Sequence, residues 1–406
     1  MRPLWELDPK SLPGPLAKIF GKEMHLWVGG WLADRAKRIA RPAPDGVRHV
    51  LFAVCDHYEP RHKAKSAEQP AQRVRDWHVG YRALQDECFA SFGLRPLHSW
   101  FYPPHHGYEH LPALAARAAA GGYALHDIGP SLEYNFLFFN LASDTQRLAL
   151  AHDVRFRQAV SLAIDRASIA RLVFGNRATP IWGHVTPGNR LWINKAIATP
   201  ARSPERARAL LREIGCRWAA DGSLQDANGR PVSITLLAAA GNAVMTETAT
   251  LLQADLKTIG IPVQIATLEF RALLDRVLKS RDYEAALLRL GSGDVDPNGE
   301  MNVWPSTGAT HLWNPGRETP STPWEAEIDR LMTQQLSTVD AVKRKALYDR
   351  VQAIVAEQLP IVPLVSPNIV VAARTGIGNL RPAVLDHYLL WNADELYWRT
   401  PAEARR

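Results

Sequence analysis

The stretch LRLGSGDVDPNG, residues 288–299, sets Asp294 and Asp296 two positions apart among three glycines and a proline. Carboxylates spaced this way have two uses. They shape acidic turns by bonding the backbone just ahead of them, or they sit on a strand-end loop aimed at a charged group. Trp304, His311 and Trp313 follow. Aromatic residues near such a loop either line a ligand groove or bury against the core. Upstream, Tyr134 and Asn135 precede the apolar FLFF of residues 136–139 and are candidates to face a cleft, and Asn140 is a candidate for a backbone bond where the chain turns.

A second chemical pair, Asp56 and His57, follows the apolar run HVLFAV. Carboxylate and imidazole at a strand end can begin a divalent-metal site; alternatively, Asp56 caps the next element and His57 lies at the surface. A catalytic zinc needs three protein ligands and an open position, and only these two residues can be named. Cys55, Cys88 and Cys216 are scattered without a C-x-x-C, so they mark neither a disulfide framework nor a zinc cage. Ser131, Asp165 and His184 cannot be joined into a nucleophile triad, and no G-x-S-x-G element occurs.

The elements that must position these residues are legible from periodicity. SPERARALLREIG reads as a helix with Ser203 as N-cap, Pro204 at the first helical position and Gly215 at its end. VSITLLAA, IPVQIATL and YEAALLRL read as strands, separated by the helices AVMTETATLLQADLKTIG and EFRALLDRVLKS. The strands are too apolar to leave a face in water, so a covered, mostly parallel sheet is expected. The last strand delivers the chain into the Asp294 loop. Two further helices, TPWEAEIDRLMTQQL and AVKRKALYDRVQAIVAEQL, precede the strand PIVPLVSP. Before Gly122 the pattern is β-α-β: the strand ending at Asp56, a helix with Val74, Trp77, Tyr81 and Leu84 on one face, and a short strand stopped by Pro103 and Pro104. Nine of the 14 histidines fall in residues 1–121, and that change in composition marks a boundary near Gly122.

Bulk properties exclude several classes. Across 406 residues the net charge is +7 with no long basic run, so nucleic acid is not an expected partner. Lys18, Lys22, Glu23 and His25 interrupt the N-terminal apolar residues, and no 18-residue apolar span occurs anywhere. Without a recognisable signal peptide, the chain is expected to stay in the cytoplasm.

Two resemblances rest on these residues. FAVCDHYEP, RVRDW and FYPPHHGYEHLPAL resemble the opening of proteins related to polysaccharide deacetylases. This implies a metal held by one Asp and two histidines of a later motif. After LPALAARAAAGG that motif has no counterpart, since His126 stands alone, so Asp56 and His57 are read as a remnant and a deacetylase as the alternative function. Residues 123–385 resemble the extracellular solute-binding proteins of the oligopeptide and dipeptide ABC importers. The resemblance is carried by EYNFLFFN, DVRFRQAVSLAIDRASIARLVFG, LLQADLKTIGIPVQI, GSGDVDPN and LPIVPL in order. It implies an α/β fold, the later lobe of a type II periplasmic-binding-protein fold, with the β-α-β fragment ahead of it. The implied domains are a helical extension (1–45), the deacetylase-like fragment (46–121), the solute-binding lobe (122–385) and a tail (386–406). The resemblance further implies a monomer without cofactor or catalysis, a periplasmic location, and as partners a peptide or other small solute and an importer permease. Asp294 would pair with a peptide's ammonium group and Asp296 would shape the loop, with Tyr134, Asn135, Trp304 and Trp313 as further ligand contacts. Complete receptors close two lobes over the ligand. This chain is expected to supply one wall, and therefore to bind weakly.

Overall fold

The computed structural model describes residues 53–57, 68–92, 97–101, 116, 122–142, 148–291, 294–385 and 389–399. In chain order the elements are β1 (Ala53–His57), α1 (Gln69–Phe92), β2 (Leu97–Phe101), β3 (Tyr123–Pro130), β4 (Glu133–Phe139), α2 (Val154–Ala163), β5 (Ala178–Pro180) and α3 (Pro204–Glu213). They continue with β6 (Arg217–Trp218), β7 (Leu224–Gln225), β8 (Ile234–Ala239), α4 (Ala243–Lys257), β9 (Val263–Leu268), α5 (Phe270–Asp275) and β10 (Ala285–Gly291). The last are α6 (Pro323–Ser337), α7 (Ala341–Gln358), β11 (Ile361–Arg374), β12 (Ile377–Gly378) and β13 (Tyr397–Trp398).

β1 and β2 pair in parallel around α1, as the β-α-β pattern requires. Asp56 and His57 lie on β1, but their side chains fall outside the described residues, so the expected metal remnant has no geometry here. The main sheet runs β3-β11-β4-β10-β8-β9, with β5 added beside β11. β9, β8 and β10 are parallel, as expected from their helical crossovers. The rest departs from the mostly parallel expectation. β4 pairs antiparallel with β10 over all seven of its residues, and β11 runs antiparallel to β4, β5 and β3. The sheet is therefore mixed. The physical reason is that β4 enters from a two-stranded ribbon rather than through a crossover helix, and only a crossover of that kind forces parallel pairing.

In that ribbon β3 and β4 follow one another, joined through Ser131 and Leu132, and both pair with the 14-residue β11 as the second strand. Its β4 half is buried and its β3 half is largely half-exposed. Register shifts fall at Pro363/Val365 and at Ile369/Val370. Pro363 has no N–H to give the ladder, which accounts for the first of them. Ser131 holds the joint: its amide donates to Pro367, and its carbonyl accepts from the Ser366 and Thr186 hydroxyls.

Alternation assigns each central strand to two cores. Leu137 and Phe139 of β4, Leu236 and Ala238 of β8, and Ala285 and Leu287 of β10 face α2, α3 and α4. Tyr134, Phe136 and Phe138, Leu237 and Ala239, and Ala286 and Leu288 face α5, α6, α7 and the segment carrying Trp304 and Trp313. A period of two with both phases apolar is what a doubly covered sheet demands. The helices start where their caps stand. Ser203 accepts from the Arg206 amide ahead of Pro204, Asn242 caps α4, Thr322 caps α6 ahead of Pro323, and Asp340 caps α7.

Candidate functional site

β10 carries the chain to the sheet's edge at Gly291, which pairs with Glu133 at the start of β4. The loop that follows holds three acids in seven positions, and the structure treats each differently. Asp294 is exposed, and its Oδ1 accepts from the amides of Val295 (2.6 Å) and Asp296 (3.3 Å), so the carboxylate folds its own turn. Asp296 caps a short 3-10 turn by accepting from the Asn298 amide at 2.9 Å. It also receives both arms of the Arg344 guanidinium, at 2.7 and 2.5 Å. The Arg344 hydrogen bonds hold the Asp296 carboxyl below its ordinary range.

Glu300 points inward. Its Oε2 accepts from Trp304 Nε1 (2.5 Å) and from the Tyr348 hydroxyl (2.8 Å). Burial pushes its carboxyl up, and these two hydrogen bonds only partly oppose that rise. His184 stacks on Trp304 with ring centroids 4.0 Å apart, and its Nε2 lies 3.2 Å from the Tyr348 hydroxyl. Burial pushes its imidazole down to about 3, so the ring is neutral. Tyr348 has one hydroxyl hydrogen and donates it to Glu300, so His184 must be the Nε2–H tautomer. His184 Nδ1 and Tyr134 Oη are buried without a hydrogen-bond partner among the described residues. Between this cluster and the loop lies a crevice of about 10 Å³, walled by His184, Thr186, Asn189, Asp294, Asp296, Glu300 and Tyr348. It has room for about one water. A larger open groove, about 540 Å³, lies elsewhere, between α2, α3, the end of α7 and residues 194–200.

The other candidates named from the sequence are not brought to the loop's surface. Trp304 and Trp313 are 0% exposed and stack on each other at 5.8 Å. Trp313 donates to Glu325, whose Oε1 also lies 3.4 Å from His311 Nε2, and His311 Nδ1 faces the Val303 carbonyl at 3.0 Å. Their aromatic area is buried in the core under α6 rather than offered to a ligand. Tyr134 and Asn135 are each 1% exposed and point to opposite faces of β4. A strand covered on both sides turns successive side chains into two cores, so neither residue can face a cleft. Asn140 does serve the backbone, donating to the Arg281 and Tyr283 carbonyls. Ser131 belongs to the ribbon joint and Asp165 caps residues 166–168, so no triad forms with His184. Sequence reasoning missed Arg344, Asn189, Glu300 and Tyr348. Arg344 and Tyr348 lie on a helix whose charge pattern looks like any solvated face.

The sequence model of the bacterial extracellular solute-binding proteins, family 5, matches residues 108–311, which is half of the chain and includes the Asp294 loop. The chain belongs to this family. The match begins ahead of the boundary expected at Gly122. Sequences similar to this chain include a probable ABC transporter-binding protein of Deinococcus radiodurans, 27% identical over 248 residues, covering 58% of this chain and 42% of that protein. Di/tripeptide-binding protein 4 of Pseudomonas aeruginosa is 31% identical over 198 residues, covering 48% and 34%. The oligopeptide-binding protein of Thermus thermophilus, solved with a pentapeptide, superposes with a TM-score of 0.56 at 26% identity, covering 71% of this chain and 52% of that one. The chain thus spans about two fifths of the length of the curated relatives it matches. By name these relatives are an ABC transporter-binding, a di/tripeptide-binding and an oligopeptide-binding protein. Among the described residues no helix is long and apolar enough to cross a membrane, and no group of three or more His, Cys, Asp or Glu side chains could hold a metal ion.

Proposed function

We propose that this chain binds the ammonium end of a short peptide or peptide-like solute on the Asp294 loop, as part of the substrate-binding component of an ABC importer working outside the cytoplasmic membrane. One observation carries the reading. Of the candidate contacts, Asp294 alone is exposed, and it stands where β10 ends beside the start of β4. Ligands of open α/β sheets bind at such carboxyl ends of strands. A carboxylate there forms a charge-assisted bond to an ammonium group and leaves the rest of an extended peptide to other contacts. The deacetylase alternative gains no support from the described residues, and no catalytic step is assigned.

An exposed ion pair contributes about 0 to 1 kcal/mol, so the Asp294 contact should account for a factor of up to about five in affinity. Calorimetry or ligand-observed NMR with Ala-Ala and with its N-acetyl form tests the reading. Binding of Ala-Ala should fall about threefold or more in Asp294→Asn, and the acetylated form should bind no better than that variant does. Equal binding of the two peptides, or sub-micromolar affinity that survives Asp294→Asn, would sink it.

A further inference from the structure

The loop that carries Asp294 has turns of its own, folded by Asp294 on the Val295 and Asp296 amides and by Asp296 on the Asn298 amide. It leaves β10 through Gly291, Ser292 and Gly293, and glycine restricts the backbone least. Those turns do not set where the loop sits against the rest of the molecule, which takes tethers. Among the described residues three side chains tether positions 295–298. Asn189 Nδ2 donates to the Val295 carbonyl at 2.8 Å. Arg344 grips Asp296 with both arms, and Gln335 Nε2 donates to Asn298 Oδ1 at 2.8 Å. The last two are one device, because Arg344 Nε donates to Gln335 Oε1 at 3.0 Å and so turns the Gln335 amide toward Asn298. Arg344 is itself fixed from behind, with its guanidinium 5.0 Å from the centre of the Trp192 ring.

We infer that Arg344 is the positioning residue of the ligand loop: by clamping Asp296 and orienting Gln335, it sets where the Asp294 carboxylate meets a ligand's ammonium group. This rests on the reading of Asp294 proposed above. The coupling is short. Asp294 Oδ1 accepts from the amide of Asp296, the residue whose side chain Arg344 holds. The clamp also differs from an ordinary surface ion pair, which orders two flexible side chains for little gain. It is bidentate, the Arg344 side chain is only 17% exposed, and both ends have further partners. A lysine cannot replace it fully, since an ammonium lacks the planar fork.

The test is made on the full chain. Amide exchange is followed in residues 294–300 and, as an internal reference, in α6 and α7. In Arg344→Gln the loop should exchange about tenfold faster while both helices keep their protection. Asp296→Asn should match it, the double variant should be no worse than either single, and Arg344→Lys should fall between. Binding of Ala-Ala should weaken several-fold in Arg344→Gln. Wild-type exchange in Arg344→Gln, loosening of α6 and α7 together with the loop, or a double variant worse than both singles overturns the clamp. So does an Arg344→Gln chain that binds Ala-Ala normally when Asp294→Asn does not. If the loop loosens while Ala-Ala binding ignores both Arg344→Gln and Asp294→Asn, the clamp is supported and the ligand reading fails.

Discussion

The two sides of the main sheet bury charge in opposite ways. On the side of α2, the buried charges are mainly arginines held by main-chain carbonyls, with one acid, Asp255, which accepts from Arg202 and the Asp165 amide. Arg157 donates to Ala151 and Gln358, while Arg166 donates to Ser161, Ile181 and Pro363. On the side of α6 and α7, the buried charges are acids held mainly by side chains. Glu300 lies under Trp304 and Tyr348, and Glu325 under His311, Trp313 and Thr322. Carbonyls do not titrate, and burial lowers each guanidinium only to about 10, so these two arginines keep their charge through the physiological range. The second side does titrate. Burial raises Glu300, whereas hydrogen bonds led by His311 outweigh burial at Glu325 and lower it. The candidate loop is anchored to this second side, so its support includes the protonation state of Glu300.

The largest expected effect sharpens the contrast by removing packing and hydrogen bonding together. Trp304→Ala should cost about 3 to 5 kcal/mol in denaturant unfolding, while Trp304→Phe, which keeps most of the volume but withdraws one donor from Glu300, should cost clearly less. Equal losses would mean that the second side is held by packing alone. Next, Arg157→Met leaves the Ala151 and Gln358 carbonyls short of a donor, and about 2 kcal/mol should be lost. That loss should be the same from pH 5 to 8; a loss that varies with pH would break the distinction between the two sides.

The smallest effect at neutral pH is the most discriminating. A raised carboxyl binds its proton more tightly in the folded chain than in the unfolded one. Its stabilisation is therefore complete below the ordinary carboxylate range and is lost as pH rises toward its folded value. Glu300→Gln should flatten that decline and change little at acid pH, where the wild-type side chain is already neutral. Unfolding free energies at three or four pH values decide this, and an undiminished slope in Glu300→Gln would place the titration elsewhere.

Most of the elements that carry the loop can be read without the structure, because their signals are local. Ser203 and Pro204 start α3 where a cap and a fixed φ predict, and the apolar runs at 232–239, 261–268 and 283–290 become β8, β9 and β10. The mixed sheet was not legible. Strand direction depends on where β4 enters, and that is set by its pairing with β10 and β11 far along the chain. The burial of the aromatic candidates was not legible for a related reason. A tryptophan lining a groove and one filling a core look identical in sequence, and only the packing of α6 over Trp304 and Trp313 separates them.

The same division runs through the loop. Glycine and proline spacing, with alternation in the strand ahead, determines that a turn carrying Asp294, Asp296 and Glu300 must follow β10. Which acid faces solvent, which is clamped and which is buried is decided by partners that local pattern cannot reach. Arg344 lies 48 residues from Asp296, Tyr348 lies 48 from Glu300, and His184 lies 164 from Tyr348. Carboxylates are chemically alike until burial and a neighbouring donor set their charge, and both are properties of tertiary structure alone.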